Sequence, residues 1–250
     1  MTHRRVTDED RAIAELLLDL FRPRMDVYAT RIDEQADADA LTTWYREHDQ
    51  PSRVARVGDW SPAGGKGRRK PLTVDAIARH VAGLVTLGVY PLRPDATCAS
   101  VSVDFDNHRG GRILPVDPRT DYEALSFTML RRGVRHLGNV SRGGRGYWIH
   151  VLPPDGTTAA DARAVLHGLL AEAGVRHVDA GGTFDCLFPK QDEPAATRPG
   201  PDGTTDATAN PGNLFCLPCN RRWMEADTPG THFVGTAPVL AQQLAYLEDT

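Results

Sequence analysis

The stretch Ala99-Ser-Val-Ser-Val-Asp-Phe-Asp106 alternates apolar and polar residues, the period of a strand with one buried face. Val101, Val103 and Phe105 belong to one side; Ser100, Ser102, Asp104 and Asp106 belong to the other. Side chains two apart on a strand share a face about 6–7 Å apart, so Asp104 and Asp106 stand side by side. Two such carboxylates can bracket a pair of divalent cations, which sit about 3.5–4 Å apart in two-metal sites. The chain then turns polar through Asn107-His-Arg-Gly-Gly111, which puts the pair at the open end of the strand. An ordinary strand end with two solvated acids has the same pattern, and the stretch alone does not choose between them.

Outward from this strand, the spacing of apolar residues predicts a mixed order of elements. Thr7 to Leu20 reads as an amphipathic helix capped by Thr7, with Ile13, Leu16, Leu17 and Leu20 on one face and Pro23 beyond its end. A second helix is expected over Glu34–His48, its acidic Asp33–Asp39 face in water, and Gln50–Pro71 reads as a loop. Thr73 caps a third helix running to about Leu84, followed by a strand over Val85–Tyr90. Past the acidic strand come a helix (Asp121–Arg132), strands at Arg135–Val140 and Tyr147–Leu152, and a helix over Thr158–Ala173 striped with Leu166, Leu169 and Leu170. Lys190–Pro211 is nearly free of large apolar residues and reads as a loop; Asn213–Pro218 reads as a short buried strand and Pro238–Leu247 as a closing helix. The pattern is α+β with mixed pairing, not a doubly wound sheet.

Composition excludes several classes. With 33 acidic and 29 basic residues the formal charge is -4, which does not suit a generic nucleic-acid coat but leaves room for a local basic groove. Four cysteines in 250 residues make no disulfide scaffold. No apolar run approaches the length of a membrane span and the first residues do not read as a signal peptide, so a soluble cytoplasmic protein is expected. Gly64-Gly-Lys-Gly-Arg-Arg-Lys70 lacks the spacer and the Ser/Thr of a P-loop and reads as a solvated surface loop or a basic flap for a nucleic-acid backbone.

Three further pieces follow the acid pair. Ser141-Arg-Gly-Gly-Arg-Gly146 is a glycine-rich turn between two strands, where backbone N–H groups and the charges of Arg142 and Arg145 can meet an anion. The strand after it carries Trp148 and His150 on one face. Thr183-Phe-Asp-Cys-Leu-Phe-Pro-Lys-Gln191 supplies a third acid, Asp185, and a lysine, Lys190, suited to phosphate; Gly212-Asn-Leu-Phe-Cys-Leu-Pro218 follows.

In this order these pieces resemble the archaeo-eukaryotic primase superfamily, in particular the primase-polymerase domain of TOTE-type conflict systems. The resemblance runs from about Phe21 to Pro218 and is carried by Phe21-Arg-Pro-Arg-Met-Asp-Val-Tyr28, Gly88-Val-Tyr-Pro-Leu-Arg-Pro-Asp-Ala-Thr-Cys98, Val103-Asp-Phe-Asp106, the Ser141 turn, Asp185-Cys-Leu-Phe-Pro-Lys-Gln191 and Gly212-Asn-Leu-Phe215. It implies an RRM-like catalytic sheet over residues 99–250 with an N-terminal helical α/β module over residues 1–98, together one compact domain. It implies that Asp104, Asp106 and Asp185 hold two Mg²⁺ or Mn²⁺ ions and that Ser141, Arg142, Gly143, Gly144, Arg145 and Lys190 cradle a nucleoside triphosphate. The implied activity is a DNA primase-polymerase adding (d)NTPs to a 3′-hydroxyl on a single-stranded DNA template, with any helicase or nuclease acting in trans.

Two departures stand out. The second motif of the family ends in histidine where this chain has Trp148; His150, two residues on, faces the same side and either takes over nucleotide contact or is a partly buried histidine with a satisfied hydrogen bond. Trp148 could stack on a base or sugar. Relatives carry cysteines before the position of Pro71, whereas none precedes Cys98 here, so no structural zinc is expected. Cys216-Leu-Pro-Cys219 lacks the second ligand pair of a zinc site and reads as two structural thiols, Cys216 facing the core. His108 reads as a solvated loop residue. Two other functions compete with the polymerase: a nucleotide- or single-strand-binding module of the same fold with weakened catalysis, and a metal-dependent phosphohydrolase or nuclease.

Overall fold

A computed structural model describes residues 4–47, 52, 54–62, 70–109, 112–113, 115–194 and 212–250. Most of the basic Gly64–Lys70 stretch and of the Lys190–Pro211 loop lies outside the described residues. The elements are α1 (Asp8–Phe21), β1 (Ala29–Arg31), α2 (Gln35–Glu47), β2 (Trp60–Pro62), α3 (Val74–Val81), β3 (Leu87–Val89), β4 (Val101–Phe105), β5 (His108–Arg109) and β6 (Arg112–Ile113), then α4 (Pro118–Arg131), β7 (His136–Val140), β8 (Tyr147–Val151), α5 (Ala159–Glu172), β9 (Phe184–Phe188), β10 (Phe215–Cys216), α6 (Arg221–Met224) and α7 (Leu240–Glu248).

Helix starts follow local chemistry. Thr7 and Asp10 form a reciprocal capping box at α1: the Asp10 N–H donates to Thr7 Oγ1 and the Thr7 N–H to Asp10 Oδ2. Asp117 caps α4 and Pro118 takes its first position, so this helix begins three residues before the apolar spacing indicates.

Two antiparallel four-stranded sheets result, in the orders β10-β3-β1-β2 and β7-β8-β4-β9. The second is built as β4–α4–β7–β8–α5–β9, with the short β5–β6 hairpin inserted after β4; it is a split βαβ sheet of RRM-like order. One face carries Val101, Val103, Phe105, Ile149 and Leu187 and is sealed by Leu125 and Met129 of α4 and Leu166, Leu169 and Leu170 of α5. The other face contributes Leu137, Phe188 and part of Trp148 to a second core. There they meet Ile13, Leu17 and Phe21 of α1, Ile77 and Val81 of α3, and Phe215 of β10.

Several expectations shift. Ala29–Arg31 and Trp60–Pro62 are strands paired with each other, the latter inside the stretch read as loop. Asp33 precedes α2 and does not lie on a water-facing helix; 11% of its side chain is exposed, and it takes bonds from Arg31 and from Thr86 Oγ1. In β10 the core residue is Phe215, and Cys216 points the other way and is half-buried, because alternation runs from the neighbouring aromatic. Cys219 is fully buried beside Gln243. β10, from the last forty residues, completes the sheet that begins with β1.

Candidate active site

β4 is the central strand of the acidic face. Across its two ladders, Asp104 lies opposite Trp148 of β8 and Cys186 of β9, and Ser102 lies opposite His150 and Phe188. Strict alternation from Cys186 would turn Asp185 to the helix-covered face. The β4–β9 register shifts between Asp104 and Phe105, so that Phe105 pairs with Phe184 and Asp185 is the extra residue. Such bulges re-aim a side chain, and here ligand atoms of Asp104, Asp185 and Cys186 all come within 4.8 Å of one another. The end of β4 is fixed beside them: the Asp106 N–H donates to Thr183 O at 2.9 Å, and Thr183 is held by Asp121 of α4 through its N–H and hydroxyl, at 2.9 and 2.8 Å.

Burial pushes the Asp104 carboxyl well above the usual carboxylate range, and the charges of Asp106 and Asp185 push it further; Lys190 opposes them. The Cys186 thiol is pushed up to about 12, first by burial and then by Asp104. It stays protonated and donates to Asp185 Oδ2 at 3.5 Å. Lys190, two residues past the end of β9, has its Nζ 5.1 Å from the centre of the Phe188 ring. The site thus concentrates negative charge in a half-closed corner with one nearby lysine. Carboxylate oxygens in this arrangement fit a hard divalent cation such as Mg²⁺ or Mn²⁺, whose charge relieves the same repulsion.

The Ser141 turn abuts this corner. A Cβ on Gly146 would lie 2.6 Å from the carbonyl oxygen of Phe105, so glycine lets the turn press against the end of β4. Within the turn, the Ser141 N–H donates to Gly146 O, the Gly144 N–H to Ser141 O and the Gly146 N–H to Ser141 Oγ, so these groups serve the hairpin itself. Gly143 and Arg145 are exposed. Arg142 leans away from the acids: its guanidinium stacks over Trp223 at 4.9 Å, and the charges it senses beyond its own burial are those of Arg31, Cys216 and Asp33.

His150 is fully buried and takes the role of a satisfied core histidine. Nε2 donates to Asn139 Oδ1 at 2.6 Å, an orientation fixed because Asn139 Nδ2 donates to Val140 O. Nδ1 accepts from the Ser102 hydroxyl at 2.7 Å. The edge of Phe21 meets the ring at 5.0 Å and Phe215 closes on it at 5.3 Å, so it has no open side for a nucleotide. Trp148, half-buried, packs on Phe188 at 5.2 Å. The structure therefore brings Asp104 and Asp185 together, leaves Asp106 and Lys190 near enough for their charges to act on Asp104 but outside the close cluster of ligand atoms, sets the Ser141 turn beside them, and places Arg142 toward the first sheet and His150 beneath. Cys186 was missed as a member of this cluster; its place beside Asp185 was visible in the sequence, but the bulge that makes them co-facial was not.

No curated protein matches the chain in sequence. The polymerase domain of Ligase D from Mycobacterium tuberculosis, solved in complex with DNA, is similar over 98% of this chain and 88% of that one, with a TM-score of 0.48 and 12% sequence identity. The archaeo-eukaryotic primase domain of the TOTE conflict system, as a family, matches residues 12–249, and the chain belongs to it.

Proposed function

We propose that this protein is a metal-dependent nucleotidyltransferase, a primase-polymerase that adds (d)NTPs to a 3′-hydroxyl on a single-stranded DNA template. The observation that carries the reading is the convergence of Asp104 and Asp185 across the β4–β9 bulge, with Asp106 near enough to raise the Asp104 pKa. In this reading Asp104, Asp106 and Asp185 hold Mg²⁺ or Mn²⁺. Bound there, divalent ions neutralise charge developing on the triphosphate and ease deprotonation of the attacking hydroxyl.

The remaining residues bind and orient. Lys190, beside the acids, takes phosphate charge as a flexible point donor. Ser141, whose oxygen already accepts from the Gly146 N–H, still has its own proton to donate. Arg142, Gly143, Gly144 and Arg145 complete the turn that faces the triphosphate, Arg142 swinging from its stack on Trp223. His150 and Asn139 act from below as positioning residues for Ser102 and so for β4. The two modules divided near residue 98 act as one unit. A helicase or nuclease would work in trans, and the protein acts in the cytoplasm.

The test is primer extension on a primed single-stranded DNA template, with Mg²⁺ and Mn²⁺ supplied separately and dNTPs or NTPs. Template-directed extension that disappears in Asp104→Ala/Asp106→Ala establishes the polymerase, and omission of the primer then tests priming. A second reading is favoured by Trp148, which occupies the position of a family histidine and packs into the aromatic core. On that reading the fold binds nucleotide or single-stranded DNA without extending it, and binding without extension by the folded protein decides for it. Cleavage of DNA without added nucleotides would instead mark a nuclease.

A further inference from the structure

The bulge that turns Asp185 toward Asp104 brings a sulfur into the same group. Cys186 lies opposite Asp104 on the ladder, is half-buried, and has its Sγ 3.5 Å from Asp185 Oδ2. Ligand bonds of about 2.0–2.2 Å for carboxylate oxygen and about 2.3 Å for sulfur set the two about 3.6 Å apart on a tetrahedral cation and about 4.4 Å apart when trans on an octahedral one. The observed 3.5 Å between Cys186 Sγ and Asp185 Oδ2 is within about 0.1 Å of the tetrahedral separation, and Asp104 offers a ligand atom within 4.8 Å of both. Among the described residues no other group of three His, Cys, Asp or Glu side chains offers ligand atoms this close together.

We propose that Cys186, releasing its thiol proton on ligation, is a third protein ligand of the cation held by Asp104 and Asp185, and that its sulfur biases this centre away from Mg²⁺ toward a softer ion such as Co²⁺ or Zn²⁺. The inference rests on the metal-dependent reading given above. Mg²⁺ demands a near-ideal octahedron of oxygen ligands and gives up water reluctantly, so a sulfur at this corner takes a position it fills poorly. Later first-row ions accept mixed oxygen and sulfur ligands, and their affinity for such sites rises across the series. Carboxylates alone would leave the choice to metal supply; the sulfur imposes a preference.

The experiment is titration of the folded full chain with CoCl₂, followed by near-ultraviolet thiolate-to-cobalt charge-transfer absorption and by calorimetry. The expected result is a band that saturates with the calorimetric binding, vanishes in Cys186→Ser, and survives in Cys216→Ser/Cys219→Ser. The ratio of Co²⁺ to Mg²⁺ affinity should fall about tenfold or more in Cys186→Ser, at least the loss seen when an outer partner of a metal ligand is removed. Calorimetric binding of CoCl₂ without the band overturns the sulfur ligand and leaves the carboxylate reading standing. Absence of binding by CoCl₂, MnCl₂ and MgCl₂ to the folded chain overturns both. Should Cys186→Ser fail to fold, X-ray absorption of the cobalt-loaded Cys216→Ser/Cys219→Ser protein decides. A sulfur in the first shell upholds the proposal, and a shell of oxygen and nitrogen alone overturns it.

Discussion

Two fully buried histidines should make this protein acid-sensitive by a calculable amount. His80 accepts from the Leu87 N–H at Nδ1 and donates from Nε2 to the carbonyls of Leu217 and Pro218; His150 accepts from Ser102 and donates to Asn139. Each is therefore the neutral Nε2–H tautomer, with no site for a second proton. Burial lowers His80 to about 4 and His150 to about 3. The unfolded chain protonates near pH 6.5, so the stability these rings contribute is fully present above about that pH, is lost as pH falls below it, and stops falling only below the folded values. At about pH 5 the loss is about 1.5 pKa units for each ring, or about 2 kcal/mol apiece and about 4 kcal/mol together. The assay is urea unfolding by tryptophan fluorescence at about pH 7.5 and about pH 5, on wild type and on His150→Gln, which keeps a donor and an acceptor but does not titrate. The variant starts less stable because the ring no longer packs on Phe21. It should nevertheless lose about 2 kcal/mol less than wild type across that interval. Parallel losses in the two proteins would refute the reasoning.

Gly146→Ala drives a Cβ to 2.6 Å from the Phe105 carbonyl, where Gly143→Ala meets nothing within 4 Å. The first should cost about 1–3 kcal/mol and lower the Tm by about 3–9 °C, and the second should leave the Tm unchanged, as calorimetry will read. Asp104→Asn removes a buried charge that Asp106 and Asp185 repel, so without metal it should gain about 0.5–2 kcal/mol while abolishing primer extension. A loss of stability in that variant would mean that the acidic cluster is not strained.

Much of the second sheet could be read from the chain because alternation at Val101–Phe105 and the leucine stripe of α5 reflect burial on one side only. The first sheet was harder. β1 and β2 are three residues each, and their pairing depends on partners far along the chain, with β10 added from beyond residue 211; so short a strand has no period to detect. The same limit hid the fate of Asp33, whose partners Thr86 and Arg222 are far from it in sequence. At the site, residue types were legible and orientations were not. Asp185 reaches Asp104 through a register shift, and His150 reaches the core because α1 and β10 cover that end of the sheet.

That covering explains how one sheet face holds both a sealed core and an open site. Along β4 the acidic face runs from Ser102, fully buried under His150, to Asp104, partly open beside Trp148, and then to Asp106 beyond the strand. Phe21 and Phe215 close only the first part. The polar groups there bond to one another, which rigidifies the strand that carries the acids. At the second part the apolar cover stops, and the charges of Asp106 and Asp185 act on Asp104, opposed by Lys190. Their mutual repulsion costs stability that the buried hydrogen-bonded network beneath can bear. A replacement that loosens the network, such as Asn139→Ala, would therefore damage the site without touching it.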